Sequence, residues 1–331
     1  MTRNSKKNII MLLHGLGDNL LAFPALYDFY KERGERVSLV LLNNGSYDFW
    51  KNIIFVESIY VIKSNNRPRY WNTVAFFLKD YWHFKKLSKE IIEKNGVKKY
   101  NLRFLTINLL PNFLEKFLSV FFDRHKLTKI YRELGIKSIN KFTKFKLDNF
   151  LKEKNQNKLE KFLLENKLEN KLEKKNYIAI HRKSFYEKKN ISKAQIERLA
   201  KEFPDKKFVL VMDAKMADDE NRNEGGGLSL PNVFYTAKYG FNIIDIYYLI
   251  KNSSLNIVID SSVMHLAQFV DTPTFALFKH KFDPKIIVPF ASSIHYKKIW
   301  PPSEANELVS SDTQKRLSQM PCGRPHRFQR R

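Results

Sequence analysis

Asp18 closes a Gly-Leu-Gly turn, His14-Gly15-Leu16-Gly17-Asp18-Asn19, at a point where an apolar run gives way to helically spaced apolar residues. A carboxylate so placed can take the proton of an attacking hydroxyl; it can equally cap the following helix, a common role for Asp worth about 1 kcal/mol. Gly15 and Gly17 let the backbone turn sharply and approach a ligand. The helix start near Asn19 offers free N–H groups and a positive dipole end. A second such junction is Asp260-Ser261-Ser262-Val263-Met264-His265. Asp260 is expected to cap the helix, with the Ser261 and Ser262 hydroxyls facing a ligand. His265 lies about one and a half turns in, where a lone imidazole reads either as a ligand contact or as a structural core group. Between the two junctions come His181-Arg182-Lys183 and Lys188-Lys189. Cations at a strand's carboxyl end suit a diphosphate, although basic residues are frequent throughout this chain.

Several chemistries are excluded by what is missing. A dinucleotide fingerprint needs a third glycine where Leu20 stands and an acid at the end of the second strand, where Asn43 and Asn44 stand. No zinc-ligand spacing, Walker loop or Gly-x-Ser-x-Gly elbow occurs, so neither a metal nor a cofactor is expected.

These residues need rigid elements to place them. Asn8 to Leu13 reads as a buried strand, Leu20 to Tyr30 as a helix, Val37 to Leu42 as a strand and Ile59 to Ile62 as a third. A second series runs from a strand at Tyr177 to His181 through a helix at Lys193 to Phe203 and a strand at Lys207 to Met212. A helix at Ile243 to Lys251, a strand at Leu255 to Ile259, a helix at Val263 to Phe269 and a strand at Thr274 to Phe278 complete it. Short buried strands alternating with helices indicate parallel α/β sheets. Lys79 to Leu134 reads as mainly helical. Its Phe, Trp and Lys content fits either ordinary amphipathic helices or a basic, aromatic surface for anionic lipid. Asn140 to Asn176 is low in complexity, with Asn-Lys-Leu-Glu at Asn157, Asn166 and Asn170. The expected division is a Rossmann-like domain over 1–150, a helical linker over 151–176, a second Rossmann-like domain over 177–300 and a tail over 301–331, with a ligand cleft at the carboxyl ends of both sheets.

The 331 residues suffice for two domains, and 43% hydrophobic content rules out a disordered chain. The net charge of +25 favours an anionic partner without choosing among nucleic acid, a phosphorylated small molecule and an acidic membrane. One cysteine, Cys322, suits a reducing compartment. The start of the chain reads as a buried strand rather than a signal peptide, and no apolar run is long enough to span a bilayer. Residues 316–331 hold five Arg and no Lys, a tail that is assigned no chemistry.

Two stretches resemble glycosyltransferase family 9, the heptosyltransferases of lipopolysaccharide assembly. Gly15 to Leu26 (GLGDNLLAFPAL) is similar to the family's opening Gly-x-Gly-Asp and Pro-containing helix. Asp260 to Phe278 (DSSVMHLAQFVDTPTFALF) is similar to its Asp-[Ser/Thr]-Gly-x-x-His-Leu-Ala and following strand. The resemblance implies the GT-B architecture, two Rossmann-like parallel-sheet domains facing across a donor cleft. It also implies inverting, metal-independent transfer of a sugar from a nucleotide diphosphate, typically an ADP-heptose. By position Asp18 matches the catalytic base, Lys189 a cation for the donor phosphates, and Asp260 and His265 donor-binding positions. The chain departs from the pattern at Ser262 for glycine, Ile191-Ser192 for Trp-Pro and Lys279 for glycine. The expected partners are a nucleotide sugar, a lipid-linked or surface-glycan acceptor and the anionic inner face of the cytoplasmic membrane, with no specific nucleic acid. A sugar-binding shell without catalysis, and a basic nucleic-acid binder, are the competing readings.

Overall fold

Ile9, Ile10, Met11 and Leu12 expose no surface at all, as a strand covered on both faces by helices requires. The computed structural model describes residues 6–12, 15–42, 46–63, 81–105, 125–136, 145–154, 156–168, 176–184, 189–212, 230–278, 284, 287–289, 291 and 293–298. The chain divides into two compact units. One comprises Met1–Asn155 with Gln268–Val270 and Lys285–Ala291, the other Gln156–Ala267 with Asp271–Pro284 and Ser292–Arg331. His14, Trp71, Lys188, Lys279, Cys322 and the Arg-rich tail lie outside the described residues.

The first unit runs β1 (Lys7–Leu12), α1 (Leu16–Leu21), α2 (Phe23–Arg33), β2 (Val37–Leu42), α3 (Tyr47–Trp50), β3 (Val56–Ile62), α4 (Tyr81–Lys94), β4 (Tyr100–Phe104) and α5 (Lys126–Leu134). Its four strands are parallel in the order β3-β2-β1-β4, with Ile9 opposite Ser38 on one side and Leu102 on the other. Within Lys79 to Leu134, expected to be mainly helical, α4 and α5 are helices and β4 is an interruption, while residues 106–124 lie outside the described residues. Tyr100 and Leu102 alternate with polar residues and pack on the core around Ile9 and Met11. That period of two spans only five residues beside a lysine-rich helix, and an edge strand tolerates the polar ones. Phe23 centres an aromatic core, with the rings of Phe49, Trp50, Phe55, Phe145, Phe150 and Phe269 at 4.9–6.1 Å.

The second unit contains α6 (Asn157–Glu165), β5 (Ile178–His181), α7 (Lys193–Glu202), β6 (Phe208–Leu210), β7 (Val233–Tyr235), α8 (Ile243–Lys251), β8 (Leu255–Ile259), α9 (Ser262–Leu266), β9 (Thr274–Phe278) and β10 (Ile294–Lys298). All six strands are parallel, in the order β10-β9-β8-β5-β6-β7. The edge strands β7 and β10 add to the expected series; one has three residues and the other reads Ile-His-Tyr-Lys-Lys, so neither carries a buried-strand signal. The helix expected over Val263 to Phe269 splits into α9 and a 3₁₀ turn at Ala267–Phe269. In the low-complexity segment α6 is docked rather than bare: buried Phe162 meets the rings of Tyr239 and Phe241, and Lys158 pairs with Asp245 of α8.

Each strand order reverses direction once. The first sheet grows from β1 towards β3 and then places β4 on the other side of β1; the second grows from β5 towards β7 and then places β8 on the other side of β5. Ligands of such sheets bind at the carboxyl ends of the two strands flanking the reversal. Asp18 follows β1, Arg182 follows β5 and Asp260 follows β8.

Candidate active site

In the first unit α1 begins after Gly15, whose φ of −65° and ψ of 166° are open to any residue. A Cβ there would meet nothing within 4 Å. No left-handed turn is used at Gly15; the position instead leaves space beside the helix start. Asp18 is the third residue of α1, so it does not cap the helix, although a first-turn acid is favoured by the helix dipole. Its Oδ1 accepts a hydrogen bond from Lys126 Nζ at 2.9 Å, with the side chains 22% and 19% exposed. Asn19 turns inward, 2% exposed, and its amide donates to Ser46 Oγ at 2.9 Å, tying α1 to the start of α3. Gly17 sits in the first turn of α1. Lys126 escaped the sequence reading because nothing marks it among the lysines, and its partner is 108 residues away.

In the second unit β5 and β8 are neighbours, with His181 opposite Val258, so the residues that follow them leave the sheet side by side. Lys189 Nζ donates to Asp260 Oδ2 at 2.5 Å, and the two side chains are 23% and 10% exposed. Asp260 therefore binds a lysine and does not cap α9. Ser261 holds the cap position in extended backbone but makes no side-chain cap; its Oγ shares a 3.1 Å hydrogen bond with His181 Nδ1. Burial pushes the His181 imidazole down to about 4, so it is neutral at physiological pH.

Arg182 is 2% exposed, and its guanidinium donates to the Ile191 carbonyl at 3.0 Å while the Ile191 N–H donates to the Arg182 carbonyl at 3.0 Å. The Ser184 N–H also donates to Asn190 Oδ1 at 2.7 Å. These bonds close the ends of the loop that carries Lys189. Ser262, partly exposed, is the first residue of α9, and His265 lies 5% exposed in its last turn. The pairs Lys189–Asp260 and Ser261–His181 thus lie side by side at the strand reversal, with the buried Arg182 bonded to the Ile191 carbonyl two residues beyond Lys189. Among the described residues no three His, Cys, Asp or Glu side chains cluster as for a metal ion, and no helix is long and apolar enough to cross a membrane.

The profile of glycosyltransferase family 9 (heptosyltransferase) matches residues 102–317, a range that includes the Lys189 and Asp260 pair and begins after Asp18. Among solved structures, a family 9 glycosyl transferase from Veillonella parvula is 15% identical, with a TM-score of 0.63 over 94% of this chain and 91% of that one. The E. coli heptosyltransferase WaaC, solved with ADP, is 12% identical, with a TM-score of 0.58 over 94% of this chain and 99% of its own. The E. coli ADP-heptose lipopolysaccharide heptosyltransferase II gives 14%, 0.58, 94% and 99%. No curated protein matches the chain by sequence.

Proposed function

The chain belongs to glycosyltransferase family 9, and on that premise we propose that it moves a heptose-like sugar from a nucleoside diphosphate, with inversion and without a metal, to a lipid-linked or surface-glycan acceptor. ADP is the nucleotide of choice because the similar WaaC structure holds it. The observation that carries the proposal is the Lys189–Asp260 pair beside Ser261 at the reversal of the second sheet.

In this reading Lys189 and its neighbours bind the donor and Asp18 is the base. An acceptor hydroxyl titrates far above pH 7, so it needs its proton removed as its oxygen attacks the anomeric carbon. Asp18 takes that proton. The bond from the anomeric carbon to the diphosphate breaks as the new one forms, and a single displacement inverts the centre. Charge gathers on the departing diphosphate, where Lys189 and the first N–H groups of α9 stabilise it. Arg182 acts by fixing the loop under Lys189 and Ser261 by contacting the donor. Asp260 orients Lys189, and His265 supports α9 from inside.

The acceptor side is proposed to rest on the inner face of the cytoplasmic membrane. In support, α4 exposes Trp82 at 61% with Lys85 Nζ 4.8 Å from the centre of its ring, and Lys86, Lys98 and Lys99 are exposed nearby in sequence. An exposed Trp beside lysines is a composition that anionic interfaces bind. The test of the proposal is calorimetry with ADP, UDP and GDP followed by turnover of the matching heptose nucleotide. ADP should bind and its heptose derivative should be consumed; equal, weak binding of all three would overturn the donor assignment.

A further inference from the structure

Lys126 occupies a place its own helix does not favour. It is the first residue of α5, where the positive end of the helix dipole repels a cation, and the first turn of α5 contains no acid to offset it. Its ammonium is instead spent on Asp18 Oδ1. The surrounding bonds keep it there. His125, the residue before it, is 3% exposed; its Nδ1 accepts from the Leu127 N–H at 3.1 Å and its Nε2 donates to the Val288 carbonyl at 2.8 Å. With one ring nitrogen accepting and the other donating to a carbonyl, that imidazole is neutral and fixed in orientation. Further along α5 the Tyr131 hydroxyl donates to Asp28 Oδ2 of α2 at 2.6 Å, in a buried bond. Only Ala22 separates α2 from α1, whose Leu20 carbonyl accepts from the Gln268 amide at 3.0 Å. Both ends of the Lys126–Asp18 pair therefore hang on elements tied down by bonds that involve buried groups.

We propose that Lys126 is a positioning residue of the transfer reaction, an inference that rests on reading Asp18 as the base. The ammonium holds one carboxylate oxygen in a set direction, and with it the orientation of the group that is to accept the proton. The acceptor's proton ends on Asp18, and Lys126 keeps its own throughout. ADP affinity is expected not to depend on the pair, because Lys189 and α9 are the groups assigned to the diphosphate.

The test uses the full chain, ADP-heptose as donor and truncated lipopolysaccharide as acceptor, following ADP release alongside calorimetric ADP affinity and melting temperature. Lys126→Met should lose about a hundredfold in kcat, the lower range of a general-base contribution, with ADP affinity and melting temperature kept. Lys126→Arg should retain most of the rate, and added ethylammonium should restore part of the rate to Lys126→Ala. Wild-type kcat in Lys126→Met overturns the inference, as does a loss that Lys126→Arg and ethylammonium both fail to repair. If Lys126→Met melts early, the ethylammonium experiment decides. Undiminished turnover in Asp18→Asn, or none in the wild type, would fell the reading of the base or of the reaction, and the inference with it.

Discussion

Ser261 Oγ and His181 Nδ1 share a hydrogen bond 80 residues apart in sequence, so the loop after β8 is fastened to the end of β5 by an imidazole that burial keeps neutral. The placement of Ser261 thereby depends on a side chain that is itself only 5% exposed.

A pH dependence follows, with a definite sign. Below pH 6.5 the unfolded chain's imidazole at position 181 takes up a proton, which the folded one refuses until about 4. Stability from this group is complete above pH 6.5 and is lost as the pH falls towards 4, by on the order of 3 kcal/mol. Urea unfolding between pH 7 and 4 should be less acid-sensitive in His181→Gln, which can still hold the Ser261 hydroxyl. Identical slopes in the two proteins would show that His181 is not buried and neutral.

The staple between Arg182 and Ile191 should act on nucleotide binding at a distance. Lys189→Met is expected to weaken ADP binding about tenfold to a hundredfold, the range for a charge-assisted hydrogen bond. Arg182→Met should weaken it too, with a lowered melting temperature that Lys189→Met does not share. Loss of affinity in Arg182→Met without loss of stability would mean that the guanidinium touches the ligand itself.

Membrane association is expected to be electrostatic and reversible. Vesicles with anionic lipid should sediment the protein and zwitterionic ones should not, and added salt should release it as the Debye length falls from about 10 Å at 0.1 M to about 3 Å at 1 M. Replacing Lys85, Lys86, Lys98 and Lys99 together by Glu should abolish sedimentation and leave ADP affinity unchanged. Recovery with both vesicle types, or with the quadruple variant, would make these lysines a solvated face.

The central strands were legible in the sequence because β2, β8 and β9, Ile9–Leu12 of β1 and Ile178–Ile180 of β5 are largely apolar runs, as strands covered on both faces must be. Of the edge strands, β3 was legible through its Ile59–Ile62 run, whereas β4, β7 and β10, which are short or mix in polar residues, were not. Within the candidate site, Asp18, Lys189 and Asp260 stand out by their place in or beside the connections from strand to helix. What each one touches does not: Lys126 reaches Asp18 across 108 residues and Lys189 reaches Asp260 across 71, distances over which local pattern carries no information. Arg182 shows the converse, a cation at a strand end that the fold uses inward, on a backbone carbonyl.

Turnover of ADP-heptose by Asp18→Asn, compared with the wild type in parallel with ADP titration, tests most directly whether this chain is a transferase with Asp18 as its base. The substitution keeps the size of the side chain and removes its capacity to take a proton, so kcat should fall by about a hundredfold to ten-thousandfold while ADP affinity stays at the wild-type value. Near-normal kcat in Asp18→Asn would contradict the account.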